Sequence, residues 1–412
     1  MNERLLVNKN ILIGVTGSIA LYKTLELIRL YIKAGANVKV IMTQSAKKFI
    51  APLTFETISQ SSVLDGQSEC WDKQSVYNHI AIGKWADIFV IAPASVNTIN
   101  KLSHGIADNL LTQTAIAYPK VKLLCPAANT NMLYNPITQE SLKALKASNY
   151  KIIEPISKEL ACRDIGNGAM SEIEDIFYAT SQELLKESYW ENRKVVLSGG
   201  GTIEKIDDVR YLSNFSSGKM ASSLALALYL KGADVCLVSS RGHEKLPKAI
   251  HTISVQSSEE MYKHLQENLH KAKKTTQQTP YLFMVAAVSD YVPTLAQEGK
   301  LKKEFLGTSW NLELTQNMDI LHSLDKQGVI SIGFKAEMDS LSAMTNAQKM
   351  MEKKELDGVC LNILNQENSF GSNDNSIELF LKKQEKSMNF EGDKLTLSFD
   401  LLNQLQEVFD EQ

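Results

Sequence analysis

"NILIGVTGSIALYK", residues 10–23, sets an apolar run against two glycines and then an amphipathic stretch. It reads as strand, tight turn and helix, because Gly14 and Gly17 break the run well before membrane-spanning length. Such a turn brings backbone N–H groups and the Ser18 hydroxyl to a helix N-terminus, where the local dipole favours a phosphate. Farther along, "KVVLSGGG" (194–201) is another apolar strand ending in glycines. "SNFSSGKM" (213–220) then puts two serines and a glycine ahead of a lysine and an apolar helical stretch. The first turn lacks the third glycine of G-x-G-x-x-G, and the second lacks the G-x-x-x-x-G-K-[ST] spacing of a P-loop. One chain therefore holds two different candidate anion cradles, about two hundred residues apart.

Outward from these turns, short continuous apolar strands recur at 10–15, 38–42, 87–94 and 121–127, with helical patterns at 19–34 and 136–147. A second series runs through 194–201, 234–240, 281–289, 329–334 and 358–364, with helical patterns at 219–231 and 342–355. Strands without polar alternation are buried on both faces, which predicts an α/β protein of parallel sheets covered by helices. The chain of 412 residues exceeds one core. Two doubly wound, Rossmann-like domains are expected, 1–190 and 191–412, with their junction in the polar stretch 183–193. "KAKKTTQQTP" (271–280) reads as a solvated loop.

Composition narrows the function. With 44% hydrophobic and 22% charged residues and a net charge of −3, no field draws the chain to nucleic acid or an anionic membrane. Five scattered cysteines (Cys70, Cys125, Cys162, Cys236, Cys360) form no C-x-x-C pair, which argues against a disulfide framework or a zinc site. Apolar runs such as "IFVIA" and "FMVAAV" are too short to cross a bilayer. A cytoplasmic protein without nucleic-acid or membrane partners is expected.

The front half continues with "HIAIGKWAD" (79–87), "APASVNTINKL" (92–102), "GIADNLLT" (105–112), "CPAANTNM" (125–132) and "ACRDIGNGAM" (161–170). In this order the five motifs resemble the flavin-dependent cysteine decarboxylases, a family that includes phosphopantothenoylcysteine decarboxylase, over about residues 8–180. The resemblance implies that the first domain is flavodoxin-like, with FMN held by Gly14, Gly17, Ser18, Thr43, Ser95, Asn97 and Thr98. It also implies His79 as active-site base, Asn129 as hydrogen-bond partner of the substrate carboxylate, and Cys162 as proton donor. Oxidation of the cysteinyl CH2–SH to a thioaldehyde would supply the electron sink that lets carbon dioxide leave. Where the family usually has "PAMN" and "GPGRM", this sequence has "PAAN" and "GNGAM".

"LSGGGTIEKIDDVRYLSNFSSGKM" (197–220) resembles the signature of phosphopantothenate–cysteine ligase. "AAVSDY" (286–291), "KLKK" (300–303), "GFKAE" (333–337) and "FGSNDN" (370–375) follow in the family's order, so that resemblance covers about 192–405. The whole chain is thus similar to the bifunctional enzymes of coenzyme A biosynthesis. They convert 4'-phosphopantothenate, cysteine and CTP, through an acyl-cytidylate, to 4'-phosphopantothenoylcysteine and then 4'-phosphopantetheine. The resemblance implies Lys300 at the α-phosphate, Asn214 and Arg210 around the acyl-nucleotide and the pantothenate phosphate, and Asp290 at the ribose or a Mg2+. It implies a nucleotide pocket of Met284, Val285, Ala286, Met318, Asp319, Ile320, Leu321 and Phe334, with Lys354 near the triphosphate and Met350, flanked by Lys349, where the family has a second lysine. Assembly is expected too, as flavin-domain trimers and ligase-domain dimers building up to a dodecamer. Two other readings are an NAD-linked oxidoreductase, disfavoured by the missing glycine, and a flavin-binding regulatory protein without turnover.

Overall fold

The structure is a computed structural model that describes residues 4–70, 78–159, 165–241, 246–275, 277–302, 304, 308–363 and 371–410. Cys162 lies outside the described residues. The chain divides into two units, Met1–Leu185 and Lys186–Gln412.

In the first unit, β1 (Asn10–Val15), β2 (Asn37–Met42), β3 (Ile88–Ala94), β4 (Lys122–Pro126) and β5 (Tyr150–Ile152) form a parallel sheet in the order β2-β1-β3-β4-β5. This is the flavodoxin-like doubly wound order, whose direction reverses between β1 and β3. Both faces of β1 are apolar for a visible reason. Ile11, Ile13 and Val15 pack with residues of α1 (Leu21–Lys33), while Leu12 joins a separate core with Phe89 and Ile91. That first core also takes in α2 (Pro52–Ser59) through Phe55. The second is closed by α3 (His79–Trp85), α4 (Val96–Ser103) and α5 (Leu110–Ala117). The short α6 (Thr130–Leu133) and then α7 (Pro136–Lys146) pack on the same side. A two-stranded antiparallel element, β6 (Ile156–Glu159) with β7 (Ile165–Ala169), precedes α8 (Ile173–Leu185), whose Ile176 and Phe177 enter the α1 core.

The second unit begins with β8 (Lys194–Gly199), followed by the small pair β9 (Ile203–Lys205) and β10 (Tyr211–Ser213), then α9 (Lys219–Leu230) and β11 (Asp234–Ser239). Next come β12 (His251–Ser254), α10 (Ser258–Thr275) and β13 (Tyr281–Met284). A second small pair, β14 (Tyr291–Pro293) with β15 (Leu314–Gln316), precedes α11 (Ile320–Ser323). β16 (Ile330–Glu337), α12 (Ser340–Lys353), β17 (Gly358–Ile363), β18 (Asp374–Leu381), β19 (Met388–Asp393) and α13 (Lys394–Phe409) complete it. The main sheet runs β12-β11-β8-β13-β16-β17-β18-β19. Its first six strands are parallel and follow the Rossmann order, reversing between β8 and β13.

Three expectations change. The sheet is mixed, because β18 and β19 add antiparallel to β17. Their alternating residues read less strongly than the buried parallel strands. The supposed loop at 271–280 begins inside α10, which runs to Thr275 and buries Ala272. The junction stretch is polar only on average: Tyr189 and Trp190 are buried, with the Trp190 and Tyr281 ring centroids 4.9 Å apart and the Tyr189 and Tyr281 hydroxyls at 2.6 Å. Arg193 lies 3.9 Å above the Tyr189 ring. No described helix is long and apolar enough to cross a membrane.

Trp190→Ala should therefore destabilise the second unit by about 3–5 kcal/mol, the usual loss for an emptied aromatic core position. Denaturant unfolding followed by tyrosine and tryptophan fluorescence measures it, and a change below about 1 kcal/mol would show that this cluster is peripheral.

Candidate active sites

At the switch point of the first unit the strands diverge, and a buried hydroxyl bridges the gap. Thr16 Oγ1 donates to the Pro93 carbonyl at 2.7 Å and accepts from the Ser95 N–H at 2.8 Å. Ser95 is the N-cap residue of α4 but makes no side-chain cap, and its Oγ lies 3.3 Å from Thr98 Oγ1. The early N–H groups of α4 are thus left to something other than a cap. Asn97 is exposed on that turn. Across β1, Thr43 N–H donates to the Val15 carbonyl at 3.0 Å, and the N-cap of α1 is also without a side-chain cap. Gly17, Ser18, Thr43, Ser95, Asn97 and Thr98 consequently occupy the carboxyl ends of three adjacent strands, where open α/β sheets bind ligands.

Gly14 has a different duty. It sits within β1, paired with Ile41 and Ile91, and a Cβ there would lie 3.0 Å from Leu111 and Phe89 side chains. Its small size serves helix–sheet packing. At Gly17 a Cβ would lie 2.6 Å from that of Ser45, so only glycine lets this turn pass the strand-end loop beside it.

His79 opens α3 behind its Asn78 cap, and its Nδ1 lies 3.3 Å from Glu69 Oε1. Glu69 was not singled out from the sequence; an acidic residue ten positions upstream is no signal without the fold. Asn129 is the N-cap of α6, its Oδ1 accepting the Asn131 N–H at 2.9 Å. Next to it, the buried Thr130 Oγ1 has no hydrogen-bond partner among the described residues, an unmet polar atom of the kind a bound group satisfies. Beside these, the Ala128 N–H donates to the Gly168 carbonyl of β7 at 3.0 Å.

The second unit repeats the device. Ser198, at the end of β8, accepts the Val285 and Ala286 N–H groups at 3.1 Å each. β13 stops at Met284, so residues 285–289, expected to be strand, instead form the wall of a cleft of about 810 Å3. The cleft brings together Asn214, Met284, Val285, Ala286, Asp290, Met318, Asp319, Ile320, Leu321, Phe334, Met350 and Lys354. Asp290 is exposed at its edge. Asn317, missed in the sequence, ties this wall to α10 through the Ser289 carbonyl at 2.7 Å and Ser258 Oγ at 3.0 Å.

Four lysines line the cleft, Lys219, Lys335, Lys354 and Lys394, and Lys335 lies 3.3 Å from the Glu337 carboxylate. Lys354 pairs with Asp319 at 2.9 Å. Burial pushes the Asp319 carboxyl up, but the Lys354 ammonium and the His322 N–H together bring it below its ordinary range. Lys219, from the serine-rich motif, donates to the Gly371 carbonyl at 2.8 Å and Asn373 Oδ1 at 3.0 Å. Lys394 donates to the Ser372 and Asp374 carbonyls at 2.6 and 3.0 Å; burial and then the nearby Lys219 charge lower its pKa. Lys394 had no sequence signal, being far from every motif.

Three expected residues fall outside the cleft lining. Lys349 is exposed; Met350 and Lys354 share one helical stripe at i and i+4, and one residue is a turn of about 100°. Arg210 is engaged with the Asp207 carboxylate and the Leu301 carbonyl. Lys300 is exposed on the adjoining strip. Among the described residues no group of three or more His, Cys, Asp or Glu side chains could hold a metal ion.

Comparisons with known proteins agree with this division. A flavoprotein family profile matches residues 1–185, and the DNA/pantothenate metabolism flavoprotein C-terminal domain matches 190–409. The chain is 37% identical over 409 residues to the coenzyme A biosynthesis bifunctional protein CoaBC of Haemophilus influenzae, covering 97% of this chain and 98% of that one. It is 35% identical over 409 residues to the protein of the same name from Bacillus subtilis, covering 97% of each. Among solved structures, a mutant PPC decarboxylase complexed with pantothenoylaminoethenethiol is 33% identical, with a TM-score of 0.39, covering 42% of this chain and 96% of that one. The C-terminal domain of a coenzyme A biosynthesis bifunctional protein CoaBC is 24% identical, with a TM-score of 0.44, covering 55% and 100%.

Replacing Thr16 by valine keeps the shape but orphans a carbonyl and an N–H. A loss of about 2–4 kcal/mol is expected, since each orphan costs about 1–3 kcal/mol, with Thr16→Ser recovering most of it. Thermal unfolding of the three proteins decides; equal stability of valine and threonine would mean the bridge is idle.

Proposed function

The chain belongs to the family of bifunctional coenzyme A biosynthesis proteins, and we propose that it divides two reactions between its units. Residues 191–412 join cysteine to 4'-phosphopantothenate at the expense of CTP, and residues 1–190 decarboxylate the product with FMN. The observation that carries the reading is the second cleft, in which Lys219, Lys354 and Lys394 face apolar Met284, Leu321, Phe334 and Met350. A nucleotide needs both: flat apolar walls for its base and fixed cations for its phosphates.

A carboxylate resists amines until it carries a good leaving group. In the proposed sequence the pantothenate carboxylate attacks the α-phosphorus of CTP, forming the acyl-cytidylate and releasing pyrophosphate. The cysteine amine then displaces CMP. Negative charge accumulates on phosphoryl oxygens, and Lys300 and the cleft cations meet it, while Asn214 holds the acyl group and Arg210 lies toward the pantothenate phosphate. Magnesium would travel with the triphosphate, and Asp290 at the cleft edge would offer it a carboxylate.

The first unit's donors suit FMN. Ser18, Thr43, Ser95, Asn97 and Thr98 offer hydroxyl, amide and N–H groups and no carboxylate, and two helix starts lack side-chain caps. Bound FMN supplies a two-electron acceptor that can return what it took. His79, oriented by Glu69, takes up and returns the proton, and Asn129, with Oδ1 already engaged, turns its amide N–H toward the substrate carboxylate. Cys162 is the proposed proton donor. Trimers of the flavin unit and dimers of the ligase unit, assembled toward a dodecamer, fit the exposed apolar residues Ile19, Tyr22, Phe49 and Leu53 on one unit and Val209, Tyr211 and Leu295 on the other. The cytoplasm, which holds all these substrates, is the proposed location.

Incubation with phosphopantothenate, cysteine and CTP, or ATP in its place, tests the scheme by pyrophosphate and carbon dioxide release. His79→Asn should abolish carbon dioxide release while amide formation persists, and Lys300→Gln should do the reverse when 4'-phosphopantothenoylcysteine is supplied. Loss of both activities from either change in a folded protein would refute the division of labour.

A further inference from the structure

Lys300 has no place in the lining of the cleft, yet among the described residues the backbone on either side of it is held by one segment. The segment 206–210, "IDDVR", grips 297–301 in consecutive steps. The Gln297 N–H donates to the Ile206 carbonyl at 3.0 Å, and the Asp208 N–H to the Gly299 carbonyl at 3.3 Å. The Gly299 N–H donates back to Asp208 Oδ2 at 2.8 Å, and the Leu301 N–H to Asp207 Oδ2 at 3.1 Å. Arg210 Nη2 closes the set on the Leu301 carbonyl at 2.8 Å. Lys300 is the residue between the two gripped N–H groups. Gly299, at φ 75°, adopts a left-handed turn that other residues take up only with strain.

Asp207 is itself over-determined. Its side chain is buried and accepts from the Val209 N–H at 2.8 Å, the Arg210 N–H at 2.6 Å, and Arg210 Nε and Nη2 at 3.0 and 2.5 Å, besides Leu301. The Arg210 guanidinium and these N–H groups hold its carboxyl far below the usual range, so it stays an acceptor at any physiological pH. Trp310 covers the arginine, its ring centroid 5.1 Å from the guanidinium carbon. A buried carboxylate with five donors is a rigid anchor, because each displaced donor would leave charge unsatisfied.

We infer that Asp207 and Asp208 are positioning residues for the ligase reaction: they fix the Gly299–Leu301 backbone and so aim the Lys300 ammonium. This rests on the reading of Lys300 as the cation that meets the α-phosphate. It also gives Arg210 a second task, in which its fork spans Asp207 and Leu301, a geometry a lysine cannot copy.

The test uses the full-length protein with Asp207→Ala, Asp208→Ala, Asp208→Asn and Lys300→Gln. Amide hydrogen exchange of peptides covering 297–301 should accelerate in both alanine variants and stay slow in Asp208→Asn, which keeps an acceptor. Ligase kcat should fall about 10- to 100-fold in the alanine variants, with the nucleotide KM within about threefold and decarboxylation unchanged. Adding Asp208→Ala to Lys300→Gln should cost nothing further, because the aspartate acts through the lysine. Faster exchange with normal ligation, or losses that multiply in the double variant, would overturn the inference. If Asp207→Ala does not fold, exposed Asp208 carries the same test. Normal ligation by Lys300→Gln would instead overturn the lysine's role and the positioning claim with it, while the exchange data would still report the grip.

Discussion

A hydroxyl at the end of the first strand of each sheet holds both sites open. Where a doubly wound sheet changes direction, neighbouring strands part and their last backbone groups lose their ladder partners. Thr16 and Ser198 take up these orphans, the first joining Pro93 and Ser95, the second collecting the Val285 and Ala286 N–H groups. Because the hydroxyls satisfy the rim, the loops beyond it can splay into a cradle without leaving buried polar groups unpaired. The helix starts then face the gap, and in both units it is there that candidate ligand-holding residues gather.

Charge in the second cleft is arranged so that no cation stands alone. Lys354 is held by Asp319, Lys335 by Glu337, Lys219 by Gly371 and Asn373, and Lys394 by two carbonyls. Carbonyl partners hold an ammonium in place without cancelling its charge, so two of the four lysines, Lys219 and Lys394, keep their field for an incoming phosphate. Burial first, and the neighbouring Lys219 charge second, lower the pKa of Lys394. The same logic of fixed, pre-aimed charge underlies catalysis of acyl and phosphoryl transfer generally.

Much of the fold was legible because parallel strands buried on both faces have an unmistakable pattern. "NILIGV" and "KVVLSG" carry apolar residues on both faces, Ile11, Leu12 and Ile13 in one and Val195, Val196 and Leu197 in the other, and both start doubly wound sheets. The pattern failed where burial is one-sided or averaged away, as for the β18–β19 edge and for Tyr189 and Trp190 inside a polar stretch. At the sites, Ser18, Thr43, Ser95 and Thr98 stand at strand ends, and the cleft gathers most of the residues singled out for a nucleotide. A glycine required by packing against Leu111 and Phe89, as at Gly14, looks the same in sequence as one required by an anion. Lys349 lies outside the cleft lining because neighbours on a helix do not share a face.

The order of apolar strands and glycine turns by itself determined that this chain builds two α/β sheets, and its motifs determined which family's chemistry it carries. Spacing along the chain is enough for that, since hydrophobic period and turn residues act locally. Only the tertiary structure decided that Glu69 would face His79, that Lys394 would join Lys219 beside one loop, and that Asp207 would hold the strip bearing Lys300. Those pairs lie from ten to 175 residues apart, and a hydrogen bond between side chain and distant backbone leaves no periodic trace in either segment.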